Sequence, residues 1–514
     1  MATIYLAHIT VFDPAIAGTR MLYLSSAGYT TGSAGLPPGG LAHTAYEPRI
    51  KQPANMRREM FGRGTTGGES TVGYGVLELT NIDGGLDDIA TFGLDGQPIT
   101  ILVGEVRRGG PPIWTTVLVG TMEQPAVTWQ KVSIRLRDRQ AELDKPAAPN
   151  KYGGTNVLPA GLDGVAGDLK GKPKPRIFGR VFNIAPPCVN TSRLIYQIND
   201  GAVSAVSAVY VRGAALTAGS AYGSQAEMEA NAPAAGQYRA WAAGGYIRLG
   251  TSPDGIVTAD ATQGIAVGNR TVAQLAQQIA TGAGGIAAGD ISAVDLLALD
   301  AKNSAEVGIW INDETCREVL DKLCESIGAW WGFDRLGKFR MSRLEEPAGM
   351  PVLDITADDI LSIDRVPSND VGRGVATWQV TLKYARFWTR QDSDVAGAVG
   401  AARRAELRES YRSVVASDAA IKIKHLLAPA LEFETLLSDA GAAAAESTRR
   451  LNLYKADRLT VELVMAYDPG LIADLGDVVR VTLSRFGMGP GKLFVVLGIR
   501  PDLELRRLYL TLWG

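Results

Sequence analysis

The chain carries few side chains of the kind that perform acid–base or metal chemistry. Its three histidines, His8, His43 and His425, are far apart in 514 residues. Histidine is the usual switchable base near neutral pH and a common metal ligand, so this scarcity leaves little material for either role. Each histidine is therefore predicted to be a surface or rim residue. A pair brought together by folding is the alternative.

The cysteines give no sign of a cross-linked or metal-bound framework. Cys188, Cys316 and Cys324 are odd in number and form no CxxC pair, which excludes a disulfide framework and an all-cysteine zinc site and fits synthesis in a reducing cytosol. Cys316 and Cys324 lie eight residues apart on a predicted helix. We predict that both pack in a core, with a redox or cluster role as the alternative.

Two glycine-rich segments resemble nucleotide-binding motifs. Residues 62–67 match the pattern GxGxxG, but that motif works between a strand and a helix, and a strand is predicted at residues 71–80 instead. Residues 487–492 resemble a phosphate loop, yet Leu493 stands where Ser or Thr must hold magnesium. The first segment is predicted to be a flexible loop and the second a hairpin turn.

Carboxylates and aromatic side chains also occur in groups that could form a catalytic, calcium-binding or ligand-binding site. The carboxylates that lie near glycine-rich turns or next to each other are Asp83, Asp87, Asp88, Asp95, Glu345 and Glu346. No pair stands out as the acid and nucleophile of a glycosidase, and the spacing does not fit the twelve-residue calcium loop. Trp330, Trp331 and Phe333 could form a platform for a sugar or a base, but a hairpin that follows a helix favours a half-core, half-interface role.

No catalytic constellation remains, so we predict a non-enzymatic protein with no catalytic residues, no cofactor and no metal. Lys and Arg total 52 against 54 Asp and Glu, and the pI is about 6.1, which disfavours binding to a phosphate backbone. The sequence contains no uncharged apolar run of about 18 residues, so no transmembrane helix is expected. The first 18 residues lack Lys and Arg, and Asp13 interrupts their apolar stretch, so no secretory signal is expected.

The N-terminal part of the chain is predicted to be β-rich. The mass of the whole chain, 54.5 kDa, suggests three or four domains at about 100–200 residues each. The 59 glycines of the chain imply many turns. Alternating β-branched and apolar residues predict strands at residues 3–11, 72–81, 99–106, 114–119 and 127–136, with a long loop over 23–45 and a turn at 109–112. Residues 1–145 are thus predicted to form a β-sandwich or barrel, followed by a linker over 146–175.

The remaining chain is predicted to contain three further regions. Residues 176–265 are β-rich with a short helix at 225–231. Residues 266–359 form an α+β region with helices starting near 271 and 292, a helix at 313–327 and a hairpin turning near Gly337. Residues 360–514 combine an alanine-rich helix over 438–454 with strands at 375–384, 410–415, 458–466, 478–483, 493–499 and 507–513. The predicted class is mainly β with some α: multidomain β-sandwich or barrel modules with a small helical insertion.

The order of residues near the C-terminus resembles a known family. The segments LGDVVRV (475–481), FVVLGI (494–499) and LYLTLW (508–513) resemble the closing β segment of tailed-phage hub and tail-tip proteins, and residues 443–463 resemble the helix and strand before it. Residues 173–216, with IFGRVFN at 177–183, are similar to tail proteins of Mu-like siphophages and prophages, as are 236–239 and 247–256. The resemblance covers about 170–514.

This resemblance implies a structural baseplate hub or tail-tip subunit that acts in attachment and genome ejection. Such a hub closes the tail tube and meets the distal tail protein, the tape-measure protein and the central fibre. Hubs of this kind are commonly homotrimers with two tube-like domains per chain, expected near 1–145 and 360–514. The expected location is the virion, after synthesis in the host bacterial cytoplasm. Some tail-tip proteins hold an iron–sulfur cluster, but three cysteines do not support one here.

Two other functions stay open. One is a receptor-binding or carbohydrate-binding tail protein, and the other is a tail-associated cell-wall hydrolase. The first predicts that the purified chain binds the host surface directly. The second predicts turnover of peptidoglycan that a single carboxylate or cysteine substitution abolishes.

Overall fold

The computed structural model describes residues 2–62, 64–106, 112–468 and 473–514. The fold is mainly β with some α, as predicted. Arg63 of the predicted glycine-rich loop, and residues 109–111 of the predicted turn, lie outside the described residues. No helix among the described residues is long and apolar enough to cross a membrane.

The N-terminal strands form a closed circuit around one core. In spatial order the antiparallel neighbours are Gly18–Ser25, Ala2–Asp13, Pro98–Val106, Ile113–Met122, Lys131–Arg137 and Thr71–Thr80. The short strands Ala45–Pro48 and Ile50–Gln52 complete the circuit, because the first pairs with Gly18–Ser25 and the second with Thr71–Thr80. Alternate side chains such as Ala7, Ile9 and Val11 are buried inside. We call this unit the N-terminal barrel.

A second circuit is built the same way from the end of the chain. Its neighbours in order are Val478–Val481, Lys492–Asp502, Arg507–Trp513 and Thr460–Ala466. It is completed by Leu353–Ile355, which runs parallel to Val478–Val481, and by Ile360–Val366, which runs antiparallel to Thr460–Ala466. Phe494, Val496 and Leu510 lie in its core. We call this unit the C-terminal barrel.

One short strand joins the two barrels. Arg57–Glu59 pairs on one side with Thr71–Thr80 and on the other with Lys492–Asp502, where Glu59 lies opposite Gly498. The guanidinium of Arg58 also forms an ion pair of 2.7 Å with Asp474. Both barrels therefore belong to one hydrogen-bonded sheet, and their relative orientation is fixed by backbone pairing.

The middle of the chain forms two five-stranded sheets that share a core. The first contains Arg176–Ile184, Ala205–Val211, Ala214–Ala215, Val257–Gln263 and Gly308–Ile311. The second contains Cys188–Asn190, Ile195–Gln197, Thr217–Ala218, Gln237–Trp241 and Tyr246–Leu249. The predicted short helix is observed at Gln225–Ala230.

Six more α-helices are described in the middle and C-terminal parts of the chain. They are Val272–Thr281, Ala293–Lys302, Cys316–Glu325, Ala401–Arg408, Ile421–Lys424 and Ala440–Tyr454. The hairpin Ala329–Phe333 and Phe339–Arg343 follows Cys316–Glu325, as predicted. A three-stranded sheet in the order Arg412–Ser417, Gln379–Tyr384 and Ala430–Glu434 packs against the last helix. The remaining described strands are Tyr29–Thr30 and Ala126–Val127.

Several predicted boundaries are corrected. The loop predicted over 23–45 is wrong in part, because Gly18–Ser25 is a strand paired along its whole length with Ala2–Asp13. The helix predicted over 313–327 is shorter, since Thr315 caps it and exchanges hydrogen bonds with Glu318. Residues 146–175 contain no long element but are partly packed: Ala147, Ala148, Tyr152 and Leu169 are buried. The domain limits predicted from the sequence stay predictions.

Candidate assembly surfaces

The structure separates the three histidines. His8 is buried, which corrects the prediction of a surface or rim position. Its Nε2 lies 2.7 Å from the hydroxyl of Tyr46, and Tyr23 packs edge-on against its ring. Burial lowers the pKa of His8, which favours the neutral imidazole. His43 is exposed, and Nε2 of His425 lies 2.9 Å from a carboxylate oxygen of Asp457 at the surface.

The cysteines and the aromatic hairpin belong to cores. Cys316 and Cys324 are buried in the core around helix Cys316–Glu325, as predicted, and burial raises the pKa of both thiols. Trp330, Trp331 and Phe333 are all buried, so the platform for a sugar or base is not present. The predicted half-interface role is also wrong, because the hairpin is covered on both faces.

In the glycine-rich loop, the described residues 64–68 are held by their own chain through Thr66. The carboxylate of Asp370 accepts hydrogen bonds from the backbone N–H of Thr66 at 2.9 Å and from its hydroxyl at 2.8 Å. The hydroxyl of Tyr454 donates to the carbonyl of Thr66. A strand follows at Thr71–Thr80, so the nucleotide motif lacks its helix. Residues 487–491 lie in the connection 482–491 between the antiparallel strands Val478–Val481 and Lys492–Asp502, in agreement with the predicted turn, and Lys492 begins the second strand.

Replacing Asp370 by alanine is expected to release this loop. Two hydrogen bonds to a carboxylate disappear, and each such bond contributes about 1.5–3 kcal/mol when the acceptor is charged. Amide hydrogen exchange at residues 64–68 should therefore rise at least tenfold. The matched variant Asp358→Ala removes an exposed carboxylate for which the structure describes no such contact and should leave the exchange rates unchanged. Unchanged exchange in Asp370→Ala would contradict the assignment.

The carboxylates considered from the sequence are dispersed. Asp83 pairs with Arg49 at 2.5 Å and Asp95 with Arg137 at 3.2 Å. Asp87 accepts a hydrogen bond from the side chain of Asn81. Glu345 pairs with Arg343 and Arg449, and Glu346 with Arg458. Within the described ranges no three His, Cys, Asp or Glu side chains come together in a geometry that could hold a metal ion.

One fully buried carboxylate has a perturbed pKa. Burial raises the pKa of Asp138 to about 7, although the backbone N–H groups of Gly73 and Gln140 donate to it and Arg58 lies nearby. Asp138 lies at the end of Lys131–Arg137 and caps the turn that follows. Its hydrogen bonds to Gly73 and Gln140 join strand Thr71–Thr80 to this turn, which indicates a structural role.

The raised pKa of Asp138 predicts a pH dependence of stability. Because the folded carboxyl binds its proton more tightly than the unfolded one, the free energy of unfolding should fall as the pH rises from about 4 to about 7. Asp138→Asn removes the titration but keeps an acceptor oxygen. The free energy of unfolding, measured with urea, should therefore change less between pH 5 and pH 8 in this variant than in the wild type. An equal difference would contradict the prediction.

A cavity of about 570 Å³ lies between the C-terminal barrel, the three-stranded sheet and the glycine-rich loop. Apolar side chains form much of its wall, among them Val375, Leu431, Phe433 and Trp513. Arg365 and Arg373 are exposed and also line it. In the part of the chain that the structure describes, neither guanidinium forms an ion pair. The cavity therefore combines apolar walls with two available cations.

Large apolar side chains are exposed at many other places on the described surface, and these include three groups. Trp129 and Ile82 are 88% and 71% exposed at one end of the N-terminal barrel. The outer face of helix Ala293–Lys302 carries Val294, Leu297, Ala298 and Ala301 at helical spacing, all exposed. Ile423, Leu426 and Leu427 are exposed at and after the short helix Ile421–Lys424. Exposed apolar side chains that form a contiguous patch mark interaction surfaces, so these three groups are candidate surfaces.

The sequence did not single out these surfaces. The one available signal was tryptophan in the polar turn Thr128–Lys131, where an indole has no strand face to pack on. Arg365 and Arg373 have no sequence signal, because their lack of partners depends on how residues far apart in the chain pack together.

No family model matches the chain, and no curated protein matches it. Several solved structures are similar to it. A tail protein from Neisseria meningitidis MC58 has a TM-score of 0.43 at 10% identity, with 92% of this chain and 94% of that chain covered. The 43 kDa tail protein of prophage MuSo2 from Shewanella oneidensis has a TM-score of 0.41 at 13% identity, with 92% and 96% covered.

A chain of the virion of a native gene transfer agent particle has a TM-score of 0.42 at 14% identity, with 72% of this chain and 91% of that chain covered. These neighbours are tail and virion proteins, the same class of protein that the sequence resembles. At TM-scores below 0.5 these similarities assign no function to this chain.

Proposed function

We propose that the chain is a structural hub at the tail tip or baseplate of a tailed bacteriophage. In this role it closes the tail tube as a homotrimer and performs no catalysis. It joins the tube, the distal tail protein and the tape-measure protein to the central fibre during attachment and genome ejection. The protein is made in the host cytoplasm and resides in the virion, without specific nucleic-acid binding or membrane insertion.

The observation that carries the proposal is the pair of closed barrels locked together by strand Arg57–Glu59. In each circuit the chain itself joins the last two strands, Ala45–Pro48 to Ile50–Gln52 and Leu353–Ile355 to Ile360–Val366. A circuit of this kind leaves few free edges, so each barrel can act as a rigid wall element. Two barrels per chain would give six wall elements in a trimer, which suits the join between a six-fold tube and a three-fold fibre. The sequence resemblance at residues 475–513, which form part of the C-terminal barrel, supports the same role.

The exposed apolar surfaces also support an assembly role. Trp129, Leu427 and the outer face of helix Ala293–Lys302 would be costly to leave in water on a monomer, and burial against neighbours stabilises them. Interfaces that hold subunits permanently are large and rich in such side chains. A hub that meets several partners needs several such surfaces.

The proposal is tested by locating the protein in particles. An affinity tag on the C-terminus, labelled with gold and viewed by electron microscopy, should mark the end of the tail distal to the head. Particles made without the protein should have incomplete tail tips and should not infect. Absence of the tagged chain from purified particles would contradict the proposal. Direct binding of the purified chain to host cells would favour the receptor-binding alternative instead.

A further inference from the structure

One end of the N-terminal barrel forms an apolar tip with acidic neighbours. The backbone N–H of Asn81 donates to the carbonyl of Gln130 at 2.9 Å and holds two turns side by side. This places the exposed residues Ile82 and Trp129 on adjacent turns. Asp87, which accepts a hydrogen bond from the side chain of Asn81, and Asp88 begin the short 3-10 helix Asp87–Thr91 that follows this turn, and both are exposed as well. We call Ile82, Asp87, Asp88 and Trp129 the acidic tip.

The cavity beside the C-terminal barrel has the complementary character. Its carboxylates are largely engaged: Asp370 holds Thr66, and Glu432 pairs with Lys383 at 2.6 Å. Glu325 is the remaining carboxylate of the lining, and burial raises its pKa. The third lining arginine, Arg458, pairs with Glu346, so Arg365 and Arg373 are the lining arginines that form no ion pair among the described residues.

The acidic tip cannot reach the cavity of its own chain. Gly67 and Gly68 line the cavity just before strand Thr71–Thr80, and Ile82 follows the other end of that strand. Ten extended residues span about 33 Å. The tip and the cavity therefore lie at opposite ends of the same rigid strand, and only a second molecule can bring them together.

We propose that the acidic tip of one copy occupies the cavity of a second copy of this chain. The indole of Trp129 and the side chain of Ile82 would fill the apolar part, while Asp87 and Asp88 face Arg365 and Arg373. The space is sufficient, because an apolar cavity of about 150 Å³ already holds a benzene ring and this one measures about 570 Å³.

The contact is heterologous, since it joins two different surfaces, and such contacts build rings when the rotation closes. The inference rests on the proposed hub function, and it names the residues that hold neighbouring subunits together. It also accounts for the exposure of Trp129, because buried tryptophans are frequent anchors of interfaces.

The first test measures assembly of the full-length chain by sedimentation over a range of concentrations. Trp129→Ala should raise the dissociation constant between copies by about 30-fold, as expected for an anchor residue. Ile265→Ala is the matched control, because Ile265 is 93% exposed and lies outside the tip and the cavity. It should leave assembly unchanged, and thermal melting should show that both variants fold.

A charge exchange makes the test specific for the pairing. Arg373→Glu should weaken assembly, and adding Asp88→Arg in the same chain should restore at least part of it. The contact would be overturned if Trp129→Ala assembled as well as the wild type. It would also be overturned if the double variant, Arg373→Glu with Asp88→Arg, recovered no assembly. If the variant proteins still enter virions and assemble normally, the hub proposal stands and only this contact fails. If the wild-type chain never enters virions, the hub proposal fails first.

Discussion

Replacing Glu446 by alanine is expected to lower the free energy of unfolding by about 3–5 kcal/mol, the cost of breaking a buried ion pair from one side. The Glu446 side chain is 1% exposed and lies on helix Ala440–Tyr454. It accepts hydrogen bonds from Arg449 at 2.7 Å and from Arg450 at 2.8 Å, and Arg343 lies 3.6 Å away. The alanine variant would leave the buried guanidinium of Arg450 without its carboxylate.

The pKa of Glu446 gives the same prediction a pH signature. Burial alone would raise this pKa, but the hydrogen bond from Arg449 and the charges of Arg450 and Arg449 hold it below its usual range. A carboxyl whose pKa is lowered by folding stabilises the protein above its unfolded pKa. The contribution should therefore be present at pH 7 and be lost as the pH falls through the folded pKa.

Urea unfolding at pH 7 is the measurement. Glu345→Ala is the matched control, because Glu345 contacts the same Arg449 and Arg343 but is 33% exposed, and exposed pairs contribute only about 0–1 kcal/mol. If both variants lose the same free energy of unfolding, burial is not what makes this network of ion pairs stabilising. The network matters for the whole molecule because Arg449 also donates to the carbonyls of Leu344 and Ile327, which ties the helix to the aromatic hairpin.

Replacing Gly179 by alanine is the second change with a large expected effect. Gly179 has a φ of +70°, and a Cβ atom there would lie 1.9 Å from the carbonyl oxygen of Val307. Positive φ alone costs about 1–2 kcal/mol for a residue with a side chain, and the clash with backbone adds to it. Strands Arg176–Ile184 and Gly308–Ile311 would have to separate. We expect a loss of at least about 3 kcal/mol in all.

Gly236→Ala isolates the conformational part of this cost. Gly236 has a φ of +75° and nothing within 4 Å of the added Cβ, so its substitution should cost about 1–2 kcal/mol. Urea unfolding of both variants gives the comparison. If Gly179→Ala costs no more than Gly236→Ala, the close approach of the two strands is not what requires glycine at this position.

Local patterns in the sequence predicted many elements of the fold. The period-2 alternation near residues 3–11 correctly predicted a strand, because one face of Ala2–Asp13 fills the core of the N-terminal barrel. The burial of Cys316 and Cys324 was predicted from the apolar face of the helix that contains them. The hairpin around Gly337 followed from a turn residue between two apolar runs. In each case the deciding interactions lie within a few residues of one another.

Pairings between distant residues could not be predicted. Strand Arg57–Glu59 is only three residues long, and its partners include Gly498, more than 400 residues away. His8 is buried because Tyr23 and Tyr46 cover it from other strands, and strand Gly18–Ser25 has a polar start within a region rich in turn residues. The cavity exists only because residues of the C-terminal barrel, the three-stranded sheet and the glycine-rich loop meet. Register and packing across the fold, not local pattern, decide these features.

The mass of the purified full-length chain in solution tests the central claim most directly. Native mass spectrometry or sedimentation equilibrium at micromolar concentration should give a closed species of three times the 54.5 kDa chain mass. Single-particle images of the same sample should show a ring with an open centre. A chain that stays monomeric at every concentration, or that grows into open filaments without a closed species, would contradict the account.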